Sequence, residues 1–287
     1  MMKHQYTIIG DPIDHSLSPV IYNTLYPVYG LDCHYSRTQV APNQLAEFIE
    51  SVRATPILGF NVTMPLKKEI IQYLDEVDPF ASLAQAVNIV VNRDGKLMGY
   101  NVDGTGLCEG LVQNGIPIDG KHITVLGAGG ASVSICLSLA HYKAGCIDIV
   151  NRSLPRAQHI AQLVSQNFSC DCHTYELGSD LSSLLTQTDI LINTTCLGMH
   201  GISEDWEDLS FLDALPKNAA AVDIIYNPSK TQFLLEAEKR GLTIQNGLEM
   251  LIYQGFESFY LYHQMKNRKE DYSLLKNALL EALGQNE

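Results

Sequence analysis

Val125-Leu126-Gly127-Ala128-Gly129-Gly130-Ala131-Ser132 reads as a strand that enters a turn of small residues and a helix that leaves it. Glycine lets the backbone approach a pyrophosphate closely, and the amides of a helix N-terminus then face the anion. The last small position holds Ser132 where Gly or Ala is usual, so the turn alone is a weak signal and its strand–turn–helix setting supplies the weight. Gly127, Ala128, Gly129, Gly130 and Ala131 are therefore candidate dinucleotide-binding residues, with a plain tight turn as the alternative. The end of the next strand refines the reading. An NAD-preferring site places Asp or Glu there for the ribose 2′-hydroxyl, whereas this chain has Asn151-Arg152-Ser153 followed by Arg156. A guanidinium suits a 2′-phosphate, and cations are disfavoured at a helix N-terminus unless something uses them. Asn151, Arg152, Ser153 and Arg156 thus point to NADP, against the plainer reading of two solvated arginines.

Outward from this unit, apolar runs alternate with amphipathic stretches along the whole chain, the pattern of βα units around mostly parallel sheets. Strands are expected at Tyr6–Ile9, Cys33–Thr38, Ile57–Val62, His122–Leu126 and Ile147–Val150, near Asp189–Asn193 and near Ala219–Ile225. Helices are expected after Ser18-Pro19, with Ser18 as N-cap, over Pro42–Ala54, from Pro65, from about Gly104 to Asn114, from the glycine turn to about Ala144, to about Asn167, and over Thr231–Arg240. Arg93-Asp94-Gly95 suggests a hairpin turn between Ala86–Asn92 and Leu97–Tyr100. The last forty or so residues read as two polar-faced helices. The fold class expected is α/β in two domains, a mostly parallel amino-terminal domain and a Rossmann-like dinucleotide domain.

The 287 residues are enough for two domains, and 46% hydrophobic with 18% charged residues can form sizeable cores. A formal charge of −13 argues against nucleic acid and against an anionic membrane as partners. The amino terminus, MMKHQYTIIGDP, is too short in apolar residues for a secretory signal. The uncharged stretch Ile123–Ala140 approaches transmembrane length but is broken by glycines and serines. Seven cysteines, odd in number and mostly within apolar patterns, suggest reduced core residues in a cytoplasmic protein. Cys170 and Cys172 read as neighbours on a strand, and no metal-ligand spacing is present.

In the first half, polar residues gather where strands end: Gly10–Pro19, Asn61–Lys67, Asn88, and Asn101-Val102-Asp103. Ligands of open α/β sheets bind beyond those ends, and this set of hydroxyls, amides and a Lys/Asp pair suits a small polyhydroxylated anion. Capping and turn chemistry would account well for Ser18 and partly for Ser16. Lys67 is expected in the first turn of a helix, opposed by the dipole, with its neighbour Lys68 as the solvated control. Beside Asp103 it would make a proton-transfer pair for an alcohol that becomes a ketone.

Eight segments in order carry a specific resemblance: Gly10–Asn23 (GDPIDHSLSPVIYN), Gly59–Lys67 (GFNVTMPLK), Ala86–Asn88, Gly99–Gly106 (GYNVDGTG), the glycine turn, Asn193–Met199 (NTTCLGM), Asp223–Thr231 (DIIYNPSKT) and Gly247–Gly255 (GLEMLIYQG). Over nearly the whole chain the sequence resembles the shikimate dehydrogenase family. The resemblance implies reversible NADP-linked reduction of 3-dehydroshikimate in aromatic amino-acid biosynthesis, in a monomer or homodimer acting on a small molecule. It implies a substrate domain over residues 1–104 completed by 247–287, and an NADP domain over 105–246, with the reacting carbon and the nicotinamide meeting between them. By position, Lys67 and Asp103 match the catalytic pair; Ser16, Ser18 and Tyr226 match carboxylate-binding groups; Thr63, Asn88 and Gln254 match groups on the ring hydroxyls. The glycine turn, Asn151–Arg156 and Gly247 match cofactor contacts. Tyr226 and Gln254 could equally be core-edge side chains.

The chain departs from the family pattern at Gln85 (usually Gly), Ile89 (Thr), Val102 (Thr), Cys196 (Pro) and Tyr22 (His), and Tyr262-His263-Gln264 replaces Trp-Thr-Gly. These leave room for a paralogue that takes quinate or another polyol acid with NAD or NADP. A tetrahydrofolate-linked dehydrogenase shares the general plan but leaves the serine motif unexplained. A non-catalytic NADP(H) sensor would need the glycine turn and Arg152 but no intact Lys67 and Asp103.

Overall fold

The computed structural model describes residues 4–55, 57–178, 181–265 and 271–285. The chain forms two compact α/β units, Met1–Val102 with Gln254–Glu287, and Asp103–Tyr253. The first begins with β1 (His4–Gly10), α1 (Ser18–Val28), β2 (Cys33–Gln39), α2 (Leu45–Ala54) and β3 (Ile57–Val62). It continues through β4 (Glu76–Val77), α3 (Pro79–Ala84), β5 (Ile89–Arg93) and β6 (Lys96–Tyr100). Its sheet runs β2-β1-β3-β5-β6-β4, with β1 parallel to β2 and β3, and β5 antiparallel to β3 and β6. Tyr6 to Gly10 are buried without alternation, as expected for a strand covered on both faces. Asp94 and Gly95 both have positive φ, 53° and 86°, the type I′ geometry that matches the strand twist of a two-residue hairpin. Ile9, Phe60, Val62, Leu66, Ile70, Val87 and Val90 share one core.

A helix beginning at Pro65 is not what forms. Residues 64–68 make a turn, and a 3₁₀ helix spans Glu69–Tyr73. The amides of Leu66, Ile71 and Leu74 donate to the carbonyls of Thr63, Lys68 and Ile71, each three residues back. This tighter coil buries Leu66 and Ile70 and packs Tyr73 and Leu74 on the same core before the chain turns extended at Leu74. Lys67 therefore stands in a turn, and the helix-dipole argument for it does not hold.

The second unit contains α4 (Asp103–Gln113), β7 (His122–Leu126), α5 (Gly130–His141), β8 (Cys146–Asn151), α6 (Leu154–Asn167) and β9 (Asp171–Glu176). It then adds α7 (Leu181–Leu185), β10 (Ile190–Asn193), β11 (Ala220–Asp223), α8 (Gln232–Lys239) and β12 (Thr243–Gln245). All its strands pair in parallel, in the order β12-β11-β10-β7-β8-β9. The chain steps outward from β7 in one direction and restarts at β10 in the other, so the order reverses between β7 and β10, where doubly wound sheets bind dinucleotides. The uncharged stretch through Ile123–Ala140 is this strand, turn and helix. α5 is buried almost all round, and an added Cβ at Gly104 of α4 would lie 2.2 Å from the Ser134 carbonyl oxygen, so glycine permits the α4–α5 approach.

Helix α9 (Leu248–His263) starts in the second unit and, from Gln254, belongs to the first; α10 (Tyr272–Ala282) follows. The expected polar-faced ending holds poorly for α9, which buries Leu248, Ile252, Tyr253, Phe256, Phe259, Tyr260 and Tyr262. Among the described residues, no helix is long and apolar enough to cross a membrane.

Candidate active site and cofactor cradle

In the second unit, the turn after β7 is shaped by its neighbours. Gly127 has φ +106°, and a Cβ there would lie 2.8 Å from Thr194 Oγ1. Gly129 and Gly130 are exposed, and an added Cβ at either meets no protein atom within 4 Å. Nothing within the protein requires these two glycines, whereas a ligand at the N-terminus of α5 would. Ser132, the departure from the usual small residue, is buried; its hydroxyl accepts the Gly129 amide at 2.9 Å and pairs with Thr194 Oγ1 at 2.7 Å. Thr194 Oγ1 also donates to the Leu126 carbonyl at 2.8 Å, so the serine pins the turn to the end of β10. The Gly129 amide is thereby used internally, which leaves the first-turn amides of Gly130 and Ala131, without intrahelical acceptors, as the anion donors.

Arg152 and Arg156 flank the N-terminus of α6, both exposed, and that helix has no acid in its first turn. Asn151 Nδ2 donates to the Ser153 carbonyl at 3.0 Å, fixing the bend between them, and the Ser153 hydroxyl caps nothing. Two exposed guanidiniums at a helix N-terminus one strand from the glycine turn fit the 2′-phosphate of NADP. Gly247 has a different role from a ligand-facing glycine: an added Cβ would lie 2.0 Å from the Ile224 carbonyl oxygen, and its amide donates to the Ile225 carbonyl at 2.9 Å. Tyr226 follows β11 half-buried, and burial pushes its phenol pKa up.

In the first unit, candidates collect beyond the carboxyl ends of β1, β3 and β6. The tips of β1 and β3 meet at Gly10, where a Cβ would lie 2.4 Å from Thr63 Cγ2. Ser16 Oγ accepts the Ser18 amide at 3.3 Å. Ser18, expected as an N-cap, is instead the first residue of α1, whose cap position is Leu17 with no side-chain bond. The local chemistry is thus a serine turn that bonds Ser16 to Ser18, and the Ser18 hydroxyl is not used to cap the helix. Arg37 of β2, which the sequence reading overlooked, donates through Nε and Nη2 to the Ser16 carbonyl at 2.9 and 2.6 Å.

Asn88 is the hub. It is buried just before β5, its carbonyl accepts the Val62 amide at 2.8 Å, and its amide donates to the Tyr100 carbonyl at 3.0 Å. Its Oδ1 accepts the Val102 amide at 3.0 Å, and the adjacent Val87 amide donates to the Lys67 carbonyl at 2.8 Å. One residue thus ties the Thr63–Lys67 turn to the chain entering Asp103. Lys67 is half-buried in the first unit, Lys68 is exposed, and half-buried Asp103 opens α4 in the second. Gln254 is buried on α9. Tyr226 belongs to the second unit, while Ser16 and Ser18 belong to the first.

A parallel doubly wound unit with a glycine turn and two exposed arginines, joined in one chain to a unit with Lys, Asn and hydroxyls at its strand ends, defines an NADP-linked oxidoreductase of small polar substrates. Residues 8–90 match the shikimate dehydrogenase substrate binding domain, and residues 111–226 match the shikimate / quinate 5-dehydrogenase model. The chain is 39% identical over 99% of its length to a shikimate dehydrogenase (NADP(+)) of Bacillus cereus strain B4264, all of which is covered. The structure superposes with TM-score 0.89 on the shikimate 5-dehydrogenase of Listeria monocytogenes solved with shikimate and NAD, at 32% identity over 96% of each chain. It also matches 5-ketofructose reductase of a Gluconobacter strain, with TM-score 0.86 and 29% identity over 98% and 99% of the two chains. The chain belongs to the shikimate dehydrogenase family.

Proposed function

We propose that the protein is an NADP-dependent shikimate dehydrogenase, catalysing 3-dehydroshikimate + NADPH + H⁺ ⇌ shikimate + NADP⁺ in the chorismate pathway. The observation that carries the reading is the Asn88 junction, which holds Lys67 and the residue before Asp103 by backbone bonds at one end of the first sheet. The first unit carries the substrate and the second carries NADP. Bound NADPH supplies the hydride. Lys67 gives its proton to the carbonyl oxygen on reduction and takes it back on oxidation, while Asp103 accepts a hydrogen bond from the substrate and orients the lysine. Ser16, Ser18 and Tyr226 take the carboxylate, and Thr63, Asn88 and Gln254 the ring hydroxyls. Arg152 and Arg156, with Asn151 and Ser153, hold the 2′-phosphate; Gly127–Ala131 and Gly247 accommodate the rest of the cofactor. A cytoplasmic location and a monomeric or homodimeric state accord with an acidic biosynthetic enzyme.

The test is nicotinamide absorbance after mixing purified protein with shikimate or quinate, each with NADP⁺ and with NAD⁺. Fast reduction confined to shikimate with NADP⁺ is expected. Comparable turnover with quinate or NAD⁺ would move the chain to the polyol-acid branch, a reading favoured by Ile89 and Val102 on either side of the Asn88 junction. Lys67→Ala should abolish turnover and keep NADP⁺ affinity; unchanged turnover removes Lys67 from its role. Tight NADP⁺ binding with no turnover on any pair would favour a sensor.

A further inference from the structure

Three neighbouring strands of the second sheet bring unlike ligating side chains together at their amino ends. Register places His122 of β7 opposite Cys146 of β8, and Asp148 of β8 opposite His173 of β9, so the alternation of strand side chains puts all four on one face. His122 Nε2 lies 2.5 Å from Asp148 Oδ2, and His173 Nδ1 lies 3.0 Å from Asp148 Oδ1. Cys146 Sγ lies 3.5 Å from His173 Nδ1 and 3.8 Å from Asp148 Oδ1. The ligating atoms of His122, Cys146 and Asp148 all fall within 4.8 Å of one another. The Asp148 side chain is 1% exposed, whereas His122 is 24% and His173 58% exposed, so a buried carboxylate forms the floor and solvent reaches the cluster from the rim.

We propose that His122, Cys146 and Asp148, with His173 as the fourth ligand, form a binding site for a zinc-class divalent cation. One sulfur, one carboxylate and two imidazoles are the donors of a borderline-soft metal and exclude the all-oxygen preference of calcium or magnesium. Bonds of about 2.0–2.3 Å in a tetrahedron separate ligand atoms by roughly 3.2–3.8 Å. Three of the four separations above lie within a few tenths of an ångström of that range, and the short His122–Asp148 contact opens as the ion enters. The exposed His173 ring is the ligand with freedom to swing in. A thiolate and a carboxylate balance the 2+ charge, so binding transfers the Cys146 proton to solvent and leaves a neutral buried centre. Asp189 Oδ2 accepts the His122 amide at 3.0 Å and holds that strand start in place. The cluster stands about 16 Å along β8 from Asn151, so the ion clamps the starts of β7, β8 and β9 and takes no part in hydride transfer.

Co²⁺ is the probe. After chelator treatment and dialysis, the full-length protein titrated with Co²⁺ should bind one equivalent, developing ligand-field bands and a thiolate-to-cobalt charge-transfer band, and Zn²⁺ should bleach both. Cys146→Ser should lose the charge-transfer band, His122→Gln and His173→Gln should weaken binding by about tenfold or more, and Cys172→Ser and Cys196→Ser should change nothing. Zn²⁺ should raise the thermal midpoint of the wild type and leave that of Cys146→Ser where it was. Absence of a one-to-one complex, or a charge-transfer band that persists in Cys146→Ser, overturns the proposal. The exposed His173 variant covers the case in which Cys146→Ser disturbs the strand.

Discussion

Asp223 closes β11 with no exposure to solvent, and it joins two segments that the sequence separates. Its Oδ1 accepts the Asn193 amide group at 3.2 Å and the Ile225 backbone amide at 3.0 Å, and its Oδ2 accepts the Thr231 hydroxyl at 2.6 Å. Burial pushes its carboxyl pKa up to about 6 against these three donors, which favour the carboxylate. The folded protein therefore holds a proton here that the unfolded chain, titrating near 3.8, has already released, so this group opposes folding above pH 6 and ceases to do so below about 4. At 1.36 kcal/mol per pH unit, the change across that window is about 3 kcal/mol. Asp223→Asn keeps the shape and removes the titration. Urea unfolding followed through the single tryptophan, Trp206, which packs in the core of the same unit, reads the difference. Wild type should gain about 3 kcal/mol on the variant as pH falls from 7 to 4. Parallel stability curves refute the reasoning. A wild type that loses ground on acidification would mean that the three donors outweigh burial and hold the carboxylate charged.

Gly247→Ala places a methyl 2.0 Å from the Ile224 carbonyl and should cost about 1–3 kcal/mol of second-unit stability by the same tryptophan readout. Tyr262→Phe and Asn61→Leu should differ in size although they touch one contact. Asn61 Oδ1 accepts from Tyr35 and Tyr262 at 2.5 and 2.7 Å, so losing one hydroxyl costs about 1 kcal/mol, whereas Asn61→Leu strands two buried hydroxyls for about 2–5 kcal/mol, measurable by chemical denaturation. Arg152→Ala should raise the KM for NADP⁺ by roughly 10- to 100-fold, the worth of a charge-assisted bond to phosphate, and leave the KM for NAD⁺ nearly unchanged in steady-state assays.

The second unit was easier to read than the first. Its β7 begins and ends where the apolar run does, because a parallel strand buried on both faces leaves a continuous signature and the glycine turn marks its end. The short strands β4 and β12 carry too few residues for any period, and the turn after Met64 uses a three-residue repeat that a helix imitates over so short a span. Ser18 followed by proline is the composition of a helix cap, but Ser16 supplies the turn. What escapes a linear reading altogether is convergence from distant elements: Arg37 on the Ser16 carbonyl, Thr194 on the glycine turn, and the His122, Cys146, Asp148 and His173 cluster drawn from three strands. Each has an ordinary local explanation, and only the sheet register makes it a group.

The register also bears on the departures from the family pattern. Tyr22 and Tyr262 replace different residues in different motifs, yet their rings meet at 5.7 Å in the first unit, and Tyr22 stacks on Tyr35 at 4.2 Å. Each hydroxyl has its own partner: Tyr22 pairs with Ser258 at 2.5 Å, and Tyr262 donates to Asn61. Gly59 gives the Tyr262 ring its room, since a Cβ there would lie 2.6 Å from the ring. Two substitutions that fill one buried volume and satisfy every hydroxyl they introduce compensate each other, so they alter what lies beneath the strand ends and not the groups presented there. Ile89 is likewise fully buried within β5. Val102 is the departure that stands next to the chemistry, because its amide is the one Asn88 holds and its side chain lacks the hydroxyl that threonine would present beside Asp103. A missing hydrogen bond of about 0.5–1.5 kcal/mol changes preference among polyols by roughly 2- to 13-fold. That is enough to shift the ranking of shikimate and its neighbours, and too little to change the reaction.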